Sequence, residues 1–457
     1  MDFDLIVVGA GAGGLTAARE GVRLGARVAL VSDGPLGGDC TWTGCVPSKA
    51  LLTAAARGLS FAEALNRVHA AIDRIARTEN EATLTREGLK VMRGRAVLRS
   101  STVVNVDGLN LSAKRIIIAT GATASVPNIP GLADIPYLTN ENVFDLDRKP
   151  VSVAVLGGGP IGCELAQALA RLDVTVTVIE ALPRLLSREE PEASDAVAVA
   201  LRGDRITVHI GAGVERVQRT SDGNRLFLAG GAAVDAERVL VATGRRPSSV
   251  GFGVEEIGVE VDNRGYIVVD DHMATTVRGV FAIGDVTARL PFTHAAARMG
   301  FVAANNAVGG GRLRRAKRFN ARAVPWATFT APEVGRVGLT EAEAAAGGRA
   351  RVAYLPLDTL DRALIADEPN GFVKLIAGPR RGTGNAAGGR LLGATIVAPN
   401  GGELIHEAAL AMQADIFTGR LAQTVHAYPT WAMAVQLAAL QFFMPVHGRV
   451  ARPAARA

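Results

Sequence analysis

A strand, a glycine-rich loop and a helix follow one another twice along this chain of 457 residues. The first copy begins with the strand DLIVV and the second with VSVAVL, and each strand runs into a loop with the spacing G-x-G-x-x-G. The glycines are Gly9, Gly11 and Gly14 in the first loop and Gly157, Gly159 and Gly162 in the second. Such a loop lets the backbone approach a pyrophosphate, whose charge is favoured by the N-terminus of the next helix. Because a further strand follows each helix, the sequence predicts two Rossmann-like dinucleotide-binding domains.

The end of the second strand in each unit indicates where the ribose of a dinucleotide is held. In the second unit the strand VTVTVIE ends at Glu180, whose carboxylate can bind both ribose hydroxyls of NADH. Because Arg184 follows closely in the sequence, NADPH is the alternative nucleotide. In the first unit Ser32 occupies the corresponding place and Asp33 follows it, and either could reach an adenosine ribose. The sequence therefore predicts NAD(P)H as a cofactor and favours NADH.

Two cysteines directly after the first unit carry the chemistry. Residues 37–49 read GGDCTWTGCVPSK, and the spacing of Cys40 and Cys45 lets their thiols close a small disulfide ring at the start of a helix. A helix N-terminus stabilises a thiolate and makes the thiol reactive. The alternatives are a structural disulfide or half of a zinc site. Zinc needs two more ligands at short spacing, and no partner pair exists, so we predict a redox-active pair and no metal site.

Composition and local pattern suggest how the chain is divided. A hydrophobic content of 48% and a charged content of 21% are typical of a globular protein. From about residue 325 a strand and an amphipathic helix occur without a nucleotide motif, which favours a mixed α/β domain and a candidate dimer interface. The predicted domains are a first FAD-domain segment (1–149), an NAD(P) domain (150–267), a second FAD or central segment (268–324) and a dimerisation domain (325–457).

Charge and cysteine usage exclude several classes of protein. The net charge of +6 is small, and the basic run at 312–322 lacks interleaved aromatics, so we do not expect nucleic-acid binding. Only three cysteines occur, which fits a reducing compartment, and Cys163 is predicted to be a packed residue. The first residues show no signal-peptide pattern, and no apolar run approaches the length of a membrane span. The expectation is a soluble, cytoplasmic protein without a membrane partner.

Taken together, these motifs resemble those of the flavoprotein pyridine nucleotide–disulfide oxidoreductases, a family that includes dihydrolipoamide dehydrogenase, glutathione reductase and mercuric reductase. The resemblance covers nearly the whole chain and also rests on ATG at 119–121, ATGRRP at 242–247 and a strand ending in AIGD. It implies that the first glycine unit binds FAD and that Asp285 hydrogen-bonds its ribityl chain. Gly121 and Gly244, in the two ATG segments, are the remaining cofactor-binding residues that it implies.

The same resemblance implies roles for the side chains around the flavin. Cys40 would be the interchange thiol that meets the substrate, and Cys45 would lie against the flavin as the charge-transfer thiolate. Lys49 and Glu164 would pair near flavin N5, a pairing that is also sound because a buried charge needs a partner. The substrate pocket would form between the two subunits of a homodimer, since the C-terminal segment of one chain faces the cysteines of the other.

The C-terminal motif departs from the family pattern. Members that oxidise dithiols or reduce glutathione carry His-x-His-Pro-Thr-x-x-Glu, whereas this chain has HAYPTWAM at 426–433. Tyr428 stands where the catalytic His is expected and Met433 where the Glu is expected. Tyrosine, with a pKa near 10, is a poor base at neutral pH. Mercuric reductases also place a tyrosine in this region, but this chain has no cysteine after Cys163 and so lacks their C-terminal cysteine pair.

The sequence therefore favours a mercuric-reductase-like enzyme that passes electrons from NAD(P)H through FAD to the Cys40–Cys45 disulfide. The final acceptor would be a disulfide, a quinone-like oxidant or a metal ion. One alternative is an ordinary dihydrolipoamide dehydrogenase, against which Tyr428 and Met433 weigh. Another is a non-enzymatic redox sensor whose disulfide state changes a partner interaction.

Overall fold

A computed structural model describes residues 1–309, 316–380, 382 and 384–455. Of the basic run at 312–322, residues 312–315 lie outside the described residues. The strands are β1 (Phe3–Val8), β2 (Val28–Ser32), β3 (Lys90–Arg93), β4 (Ala96–Ser100), β5 (Val103–Val106), β6 (Leu109–Ile118), β7 (Ala122–Ala124), β8 (Ser152–Leu156), β9 (Thr175–Glu180), β10 (Thr207–Ile210), β11 (Val214–Thr220), β12 (Gly223–Leu228), β13 (Ala233–Ala236), β14 (Arg238–Val241), β15 (Arg245–Pro247), β16 (Val280–Ala282), β17 (Pro325–Thr328), β18 (Glu333–Gly338), β19 (Arg351–Pro356), β20 (Phe372–Gly378), β21 (Arg390–Ala398) and β22 (Arg452–Pro453).

Helices connect these strands and cover the sheets. The α-helices are α1 (Ala12–Arg23), α2 (Gly38–Trp42), α3 (Cys45–Ala56), α4 (Phe61–Ala76), α5 (Glu81–Arg86), α6 (Pro160–Arg171), α7 (Pro191–Gly203), α8 (Thr293–Val308), α9 (Glu341–Ala345), α10 (Asp361–Ile365), α11 (Gly401–Gln413), α12 (Thr418–Gln423) and α13 (Met433–Leu440). Single turns of 3₁₀-helix occur at Val143–Asp145, Gly284–Thr287, Leu357–Thr359 and Ala386–Gly388.

Two compact units divide the described chain. The first contains residues 1–128, 137–149 and 240–320, and the second contains 129–136, 150–239 and 321–457. This grouping is coarser than the four-segment division predicted above, which stays a prediction.

A parallel sheet in the order β3–β2–β1–β6 forms the centre of the first unit, with β16 also pairing with β6. Val8 is in register with Val31 and with Ile118, so the carboxyl ends of three strands meet at one edge. The segments that meet there, residues 5–8, 28–31 and 116–118, are buried and apolar, as expected for parallel strands covered on both faces. The first glycine loop leaves the sheet at this edge.

Close approach of two helices fixes the surroundings of that loop. A Cβ atom on Gly300 of α8 would lie 2.4 Å from the carbonyl oxygen of Gly13, at the start of α1. Only glycine at position 300 lets the backbones come this near. The contact holds α8 beside the first glycine loop.

After the cysteine pair the chain forms two helices, α3 and α4, with a break between them. Ser60 caps α4 by accepting a hydrogen bond from the backbone N–H of Glu63, and the Glu63 carboxylate accepts from the Ser60 N–H in return. This capping box satisfies two orphan donors and stabilises a new helix start. The Ser-x-x-Glu signal is present in the sequence and explains the break.

The second unit contains the other parallel sheet, in the order β10–β9–β8–β14, followed by the antiparallel strands β11–β12–β13. Its C-terminal part is an antiparallel sheet in the order β17–β18–β21–β20–β19–β22. Helices α11 and α13 pack on this sheet through buried residues such as Ile405, Ala408 and Val435. The predicted α/β class, with two Rossmann-like sheets and a mixed C-terminal domain, is confirmed. No helix in the described ranges has the length and apolar character needed to cross a membrane.

Candidate active site

The first glycine loop forms an open cradle at the start of α1. Gly9 has a φ of +106°, and a Cβ on Gly14 would lie 1.9 Å from the Gly9 carbonyl oxygen, so both positions require glycine. A Cβ on Gly11 would meet nothing within 4 Å. Gly11 caps the helix without a side-chain hydrogen bond, which leaves the first backbone N–H groups to face an anion. These features fit the pyrophosphate of FAD.

The second glycine loop repeats the same geometry at the start of α6. Gly157 has a φ of +108°, and a Cβ on Gly162 would lie 1.9 Å from the Gly157 carbonyl oxygen. A Cβ on Gly159, the N-cap of α6, would again meet nothing within 4 Å. The chain thus carries two cradles of the same shape, as the sequence predicts.

Glu180 lies against the second cradle. Its carboxylate accepts hydrogen bonds from the backbone N–H groups of Gly158 at 2.6 Å and Leu182 at 2.7 Å. The Arg184 guanidinium donates to the carbonyl oxygens of Glu189 at 2.7 Å and Ser187 at 2.8 Å. Arg184 is therefore engaged by its own loop, while the Glu180 carboxylate lies at the cradle.

At the corresponding place in the first unit the two candidate residues differ. The hydroxyl of Ser32 donates to the Gly34 carbonyl oxygen at 3.0 Å, and the residue is buried. Asp33 is exposed. Of the two, Asp33 has the more accessible side chain, and its contact with an adenosine ribose stays a prediction.

The cysteine pair lies at the starts of two successive helices. Cys40 is on α2 and Cys45 is the first residue of α3, and neither forms a disulfide bond in this structure. The hydrogen bond with Cys45 raises the pKa of the Cys40 thiol, and burial and the charge of Cys45 raise it further. The raised pKa of Cys40 favours its protonated form. That Cys45 is the thiolate of the pair, as the family resemblance implies, stays a prediction.

Thr293 is a member of this site that the sequence analysis did not identify. Its hydroxyl oxygen lies 3.4 Å from the sulfur of Cys45, and a hydrogen bond from Thr293 lowers the pKa of Cys40. Thr293 is far from the cysteines in the sequence and is the first residue of α8. In the sequence, Thr293 could be recognised only by its position at the start of the helix that follows the AIGD strand.

Replacing Thr293 by valine is expected to raise the pKa of the Cys40 thiol, because the variant loses a hydrogen bond that lowers it. A hydrogen bond to a charged group contributes about 1.5–3 kcal/mol when buried, so the alkylation profile of the variant should move to higher pH. The rate of alkylation by iodoacetamide, measured against pH on the reduced protein, reports this shift. Thr293→Ser keeps the hydroxyl and should behave as the unmodified protein. Equal profiles for the valine and serine variants would contradict the role of the hydroxyl.

Asp285 follows β16 and is paired with a half-buried arginine. Its carboxylate lies 3.4 Å from Nε of Arg245, whose Nη2 donates to the carboxylate of Asp39 and to the carbonyl of Ala122. Burial raises the pKa of Asp285, and the charge of Arg245 opposes that rise. Nε of Arg245 is buried and donates no hydrogen bond among the described residues. Within the described chain, Nε of Arg245 is therefore an unused donor beside the Asp285 carboxylate. The contact of Asp285 with a ribityl chain stays a prediction.

The two ATG segments are joined within the first unit. Strands β7 and β15 pair, the Ser125 N–H donates to the Gly244 carbonyl, and the Ser248 N–H donates to the Gly121 carbonyl. Gly121 has a φ of +71° and Gly244 a φ of +144°, which explains glycine at both positions. Their contact with cofactor stays a prediction.

Lys49 and Glu164 lie in different compact units. Nζ of Lys49, on α3, is 3.3 Å from the Ser48 hydroxyl. Glu164, on α6, is buried and accepts a hydrogen bond from the Phe329 N–H at 2.9 Å. The pairing of the two charges stays a prediction.

The contacts of Tyr428 in the C-terminal segment do not suit a general base. The side chain is exposed, and its hydroxyl donates to the Asp361 carboxylate at 3.0 Å, which raises the pKa of Tyr428. The ring of His426 is 7% exposed, with Nε2 3.1 Å from the Glu407 carboxylate and Nδ1 2.9 Å from the Thr424 carbonyl. Both ring nitrogens face acceptors, so His426 serves to anchor the segment on α11. The sequence analysis did not predict this His426–Glu407 contact.

Comparison with known families agrees with these sites. The model described as pyridine nucleotide-disulphide oxidoreductase matches residues 3–300, and the dimerisation domain of the same family matches residues 324–439. The chain belongs to the pyridine nucleotide-disulphide oxidoreductases. The predicted family is thus confirmed, and with it FAD and NAD(P)H as the cofactors that the family uses.

Individual members of this family resemble the chain along almost its full length. A mercuric reductase of Bacillus cereus is 35% identical over 462 residues, covering 96% of this chain and 72% of that protein. A dihydrolipoyl dehydrogenase of Thermus scotoductus is 35% identical over 456 residues, covering 94% and 95%. The Cu(II) complex of RclA, an HOCl-induced flavoprotein disulfide reductase from Escherichia coli, matches with a TM-score of 0.85 at 28% identity, covering 94% of this chain and 98% of RclA.

Proposed function

We propose that this oxidoreductase uses NADH to reduce the Cys40–Cys45 disulfide and that the resulting thiols reduce a thiol-binding metal ion. The observation that carries the proposal is the cysteine pair itself, in which the pKa of Cys40 is raised. We infer that Cys40 is the protonated thiol and Cys45 the thiolate. When bound, FAD supplies two-electron transfer between nicotinamide and disulfide. Gly9, Gly11 and Gly14 would hold its pyrophosphate and Asp285 its ribityl chain.

The residues of the chain account for the proton and the charge that accompany the electrons. Breaking the Cys40–Cys45 disulfide takes two electrons and one proton, which Cys40 retains as a thiol. The hydroxyl of Thr293 and the N-terminus of α3 stabilise the charge on Cys45. We further propose that Lys49 and Glu164 pair beside this site and keep a positive charge there.

The geometry of Tyr428 favours a metal ion over a dithiol as the substrate. Oxidising a dithiol requires a base that removes a thiol proton, and the Tyr428 hydroxyl already donates to Asp361. A metal ion needs no such base, since thiolates bind it directly. One thiol, one thiolate and Hg(II) give a disulfide, Hg(0) and a proton, and two Cu(II) ions would give two Cu(I). The names of the mercuric reductases and the Cu(II) complex of RclA support this class of acceptor.

A panel of acceptors tests this proposal. NADH oxidation by the purified holoprotein is measured with Cu(II), Hg(II), lipoamide, glutathione disulfide and a quinone. We expect a metal ion to give the highest rate, and the variant with both Cys40 and Cys45 replaced by serine controls for reduction of metal by nucleotide alone. A disulfide or quinone as the best acceptor would contradict the metal-ion proposal. Negligible turnover with every acceptor would favour the redox sensor instead.

NADH is expected to be the better nucleotide because the Glu180 carboxylate lies at the second cradle and Arg184 is engaged by Ser187 and Glu189. A 2′-phosphate near Glu180 would meet a like charge, which costs on the order of 1–4 kcal/mol at about 4 Å, so kcat/KM should favour NADH at least about fivefold. Steady-state kinetics with both nucleotides measures the ratio, and Glu180→Gln should narrow it. A higher kcat/KM with NADPH would overturn the assignment.

We also propose a homodimer with an active site shared between subunits. The C-terminal domain exposes apolar side chains whose contact with water a partner would remove; they include Ile365, Val425, Phe443 and Met444. The match of residues 324–439 to a dimerisation domain supports the same assembly. Light scattering that shows a monomer at micromolar concentration would contradict it.

A further inference from the structure

The loop of residues 181–190, which follows β9, lies directly on the second glycine cradle. The Leu186 N–H donates to the Gly158 carbonyl oxygen at 2.8 Å. A Cβ on Gly158 would lie 2.4 Å from Cδ2 of Leu185, so the loop and the cradle are in close contact. Arg184 closes the loop on itself by its bonds to Ser187 and Glu189. The position of this loop therefore sets the shape of the site where Glu180 meets the nucleotide.

Buried side chains of the C-terminal domain hold the far end of the loop at Glu189. The indole N–H of Trp326, on β17, donates to the Glu189 carboxylate at 2.8 Å. The guanidinium of Arg336, on β18, lies 3.6 Å from the same carboxylate and also donates to the Arg188 carbonyl. The Arg336 and Glu189 side chains are only 6% and 7% exposed. Water is largely excluded from this contact, so it is directional and weakly screened.

The next residue, Glu190, is held by a second buried contact. Its carboxylate accepts from the Glu341 N–H at 2.7 Å and from Nζ of Lys374 at 3.1 Å. The Lys374 side chain is 1% exposed and also contacts Glu192 at 2.6 Å and Glu341 at 3.2 Å. Arg452 adds a second cation to Glu341. Both acidic residues at the end of the loop are thus fixed by cations of the C-terminal domain.

Buried ion pairs contribute little net stability to the contact between the loop and the C-terminal domain. Desolvation of buried charges offsets much of their attraction, and apolar contacts of the same volume often stabilise as well or better. Ion pairs with fixed hydrogen bonds do, however, define a single geometry. The contacts converge on the loop that forms one wall of the second cradle, where geometry matters for binding.

We propose that Glu189 and Glu190 are positioning residues for NADH. They hold the loop 181–190 against the second cradle, so that Arg336 and Lys374 of the C-terminal domain set the affinity for the nucleotide. This inference rests on the proposed use of NADH at that cradle. It assigns to a buried charge cluster, remote from the cysteines in the sequence, a role in nucleotide binding.

A matched pair of variants tests the proposal. Glu189 and Glu343 both lie on Arg336, at 3.6 Å and 3.2 Å, but only Glu189 belongs to the loop. Glu343 also completes the capping box of α9, so Glu343→Ala removes a partner of Arg336 and a structural contact at once. The melting temperatures of both holoprotein variants measure how much stability each change removes. We expect Glu189→Ala to raise the KM for NADH about tenfold with little change in kcat. Glu343→Ala should leave KM within about twofold of its normal value.

Each outcome separates a positioning role from a structural one. Equal effects of the two variants on KM, or no effect of either, would overturn the inference. If Glu189→Ala does not yield folded protein, Glu189→Gln keeps the Trp326 contact, removes the charge, and should still raise KM more than Glu343→Gln does. Failure of the unmodified protein to oxidise NADH would overturn the proposed function. Normal NADH use combined with unchanged KM in the variants would overturn only this inference.

Discussion

Cys45→Ser is expected to abolish acceptor reduction and the spectral signature of the reduced protein together. We propose that Cys45 is the thiolate of the pair, and a serine hydroxyl cannot replace a thiolate as electron donor. Loss of an essential nucleophile costs on the order of 10³-fold or more in turnover. Anaerobic addition of two electrons to the unmodified holoprotein should give a long-wavelength charge-transfer band, by resemblance to the family. The variant should lack this band.

Cys40→Ser is the matched control for this prediction. It removes the other half of the disulfide and should abolish turnover equally, because no disulfide can form. The Cys45 thiolate remains, however, and the long-wavelength band should persist or become stronger. A band that survives in Cys45→Ser and disappears in Cys40→Ser would mean that the two roles are exchanged.

The two glycine cradles could be predicted from the sequence because their chemistry is local. Gly9 and Gly157 require positive φ, and Gly14 and Gly162 leave no room for a side chain within their own loops. Such constraints act over a few residues, so the spacing of the glycines carries them. The same holds for Cys40 and Cys45, which the starts of adjacent helices bring together.

Contacts between distant segments could not be predicted in this way. Thr293 reaches Cys45 only because α8 packs on α1 at Gly300, a contact that depends on the tertiary fold. Likewise, no local pattern connects Arg245 with Asp39 and Asp285, or His426 with Glu407. The sequence shows which residues are polar, but tertiary packing determines which polar side chains contact each other. These contacts are where the structure adds most to the proposed mechanism.

Weak oxidation of dihydrolipoamide, beside ordinary reduction of a dye by NADH, is the second large effect that we expect. Dithiol oxidation at neutral pH needs a base, and general-base assistance is worth about 10²–10⁴-fold. The hydrogen bond to Asp361 raises the pKa of Tyr428, which makes the phenol a still poorer base. His426 does not compensate, because its ring nitrogens face the Glu407 carboxylate and the Thr424 carbonyl. Electron transfer from NADH to a dye needs no such base and should be unaffected.

The double variant Tyr428→His with Met433→Glu should raise dithiol oxidation selectively, because it restores an imidazole and a carboxylate at the two family positions. We expect the rate of dithiol oxidation to rise about tenfold or more. The rise should stay below the full 10²–10⁴-fold, because the neighbouring residues do not position a His–Glu pair. Tyr428→Phe is the control, because it breaks the bond to Asp361 without adding a base and should bring no gain. If the unmodified protein oxidises dihydrolipoamide at pH 7 as fast as it reduces dye, the chain must contain another base. His406 and His426 would then be the first residues to replace. Tyr428 would no longer favour a metal ion over a dithiol as the substrate.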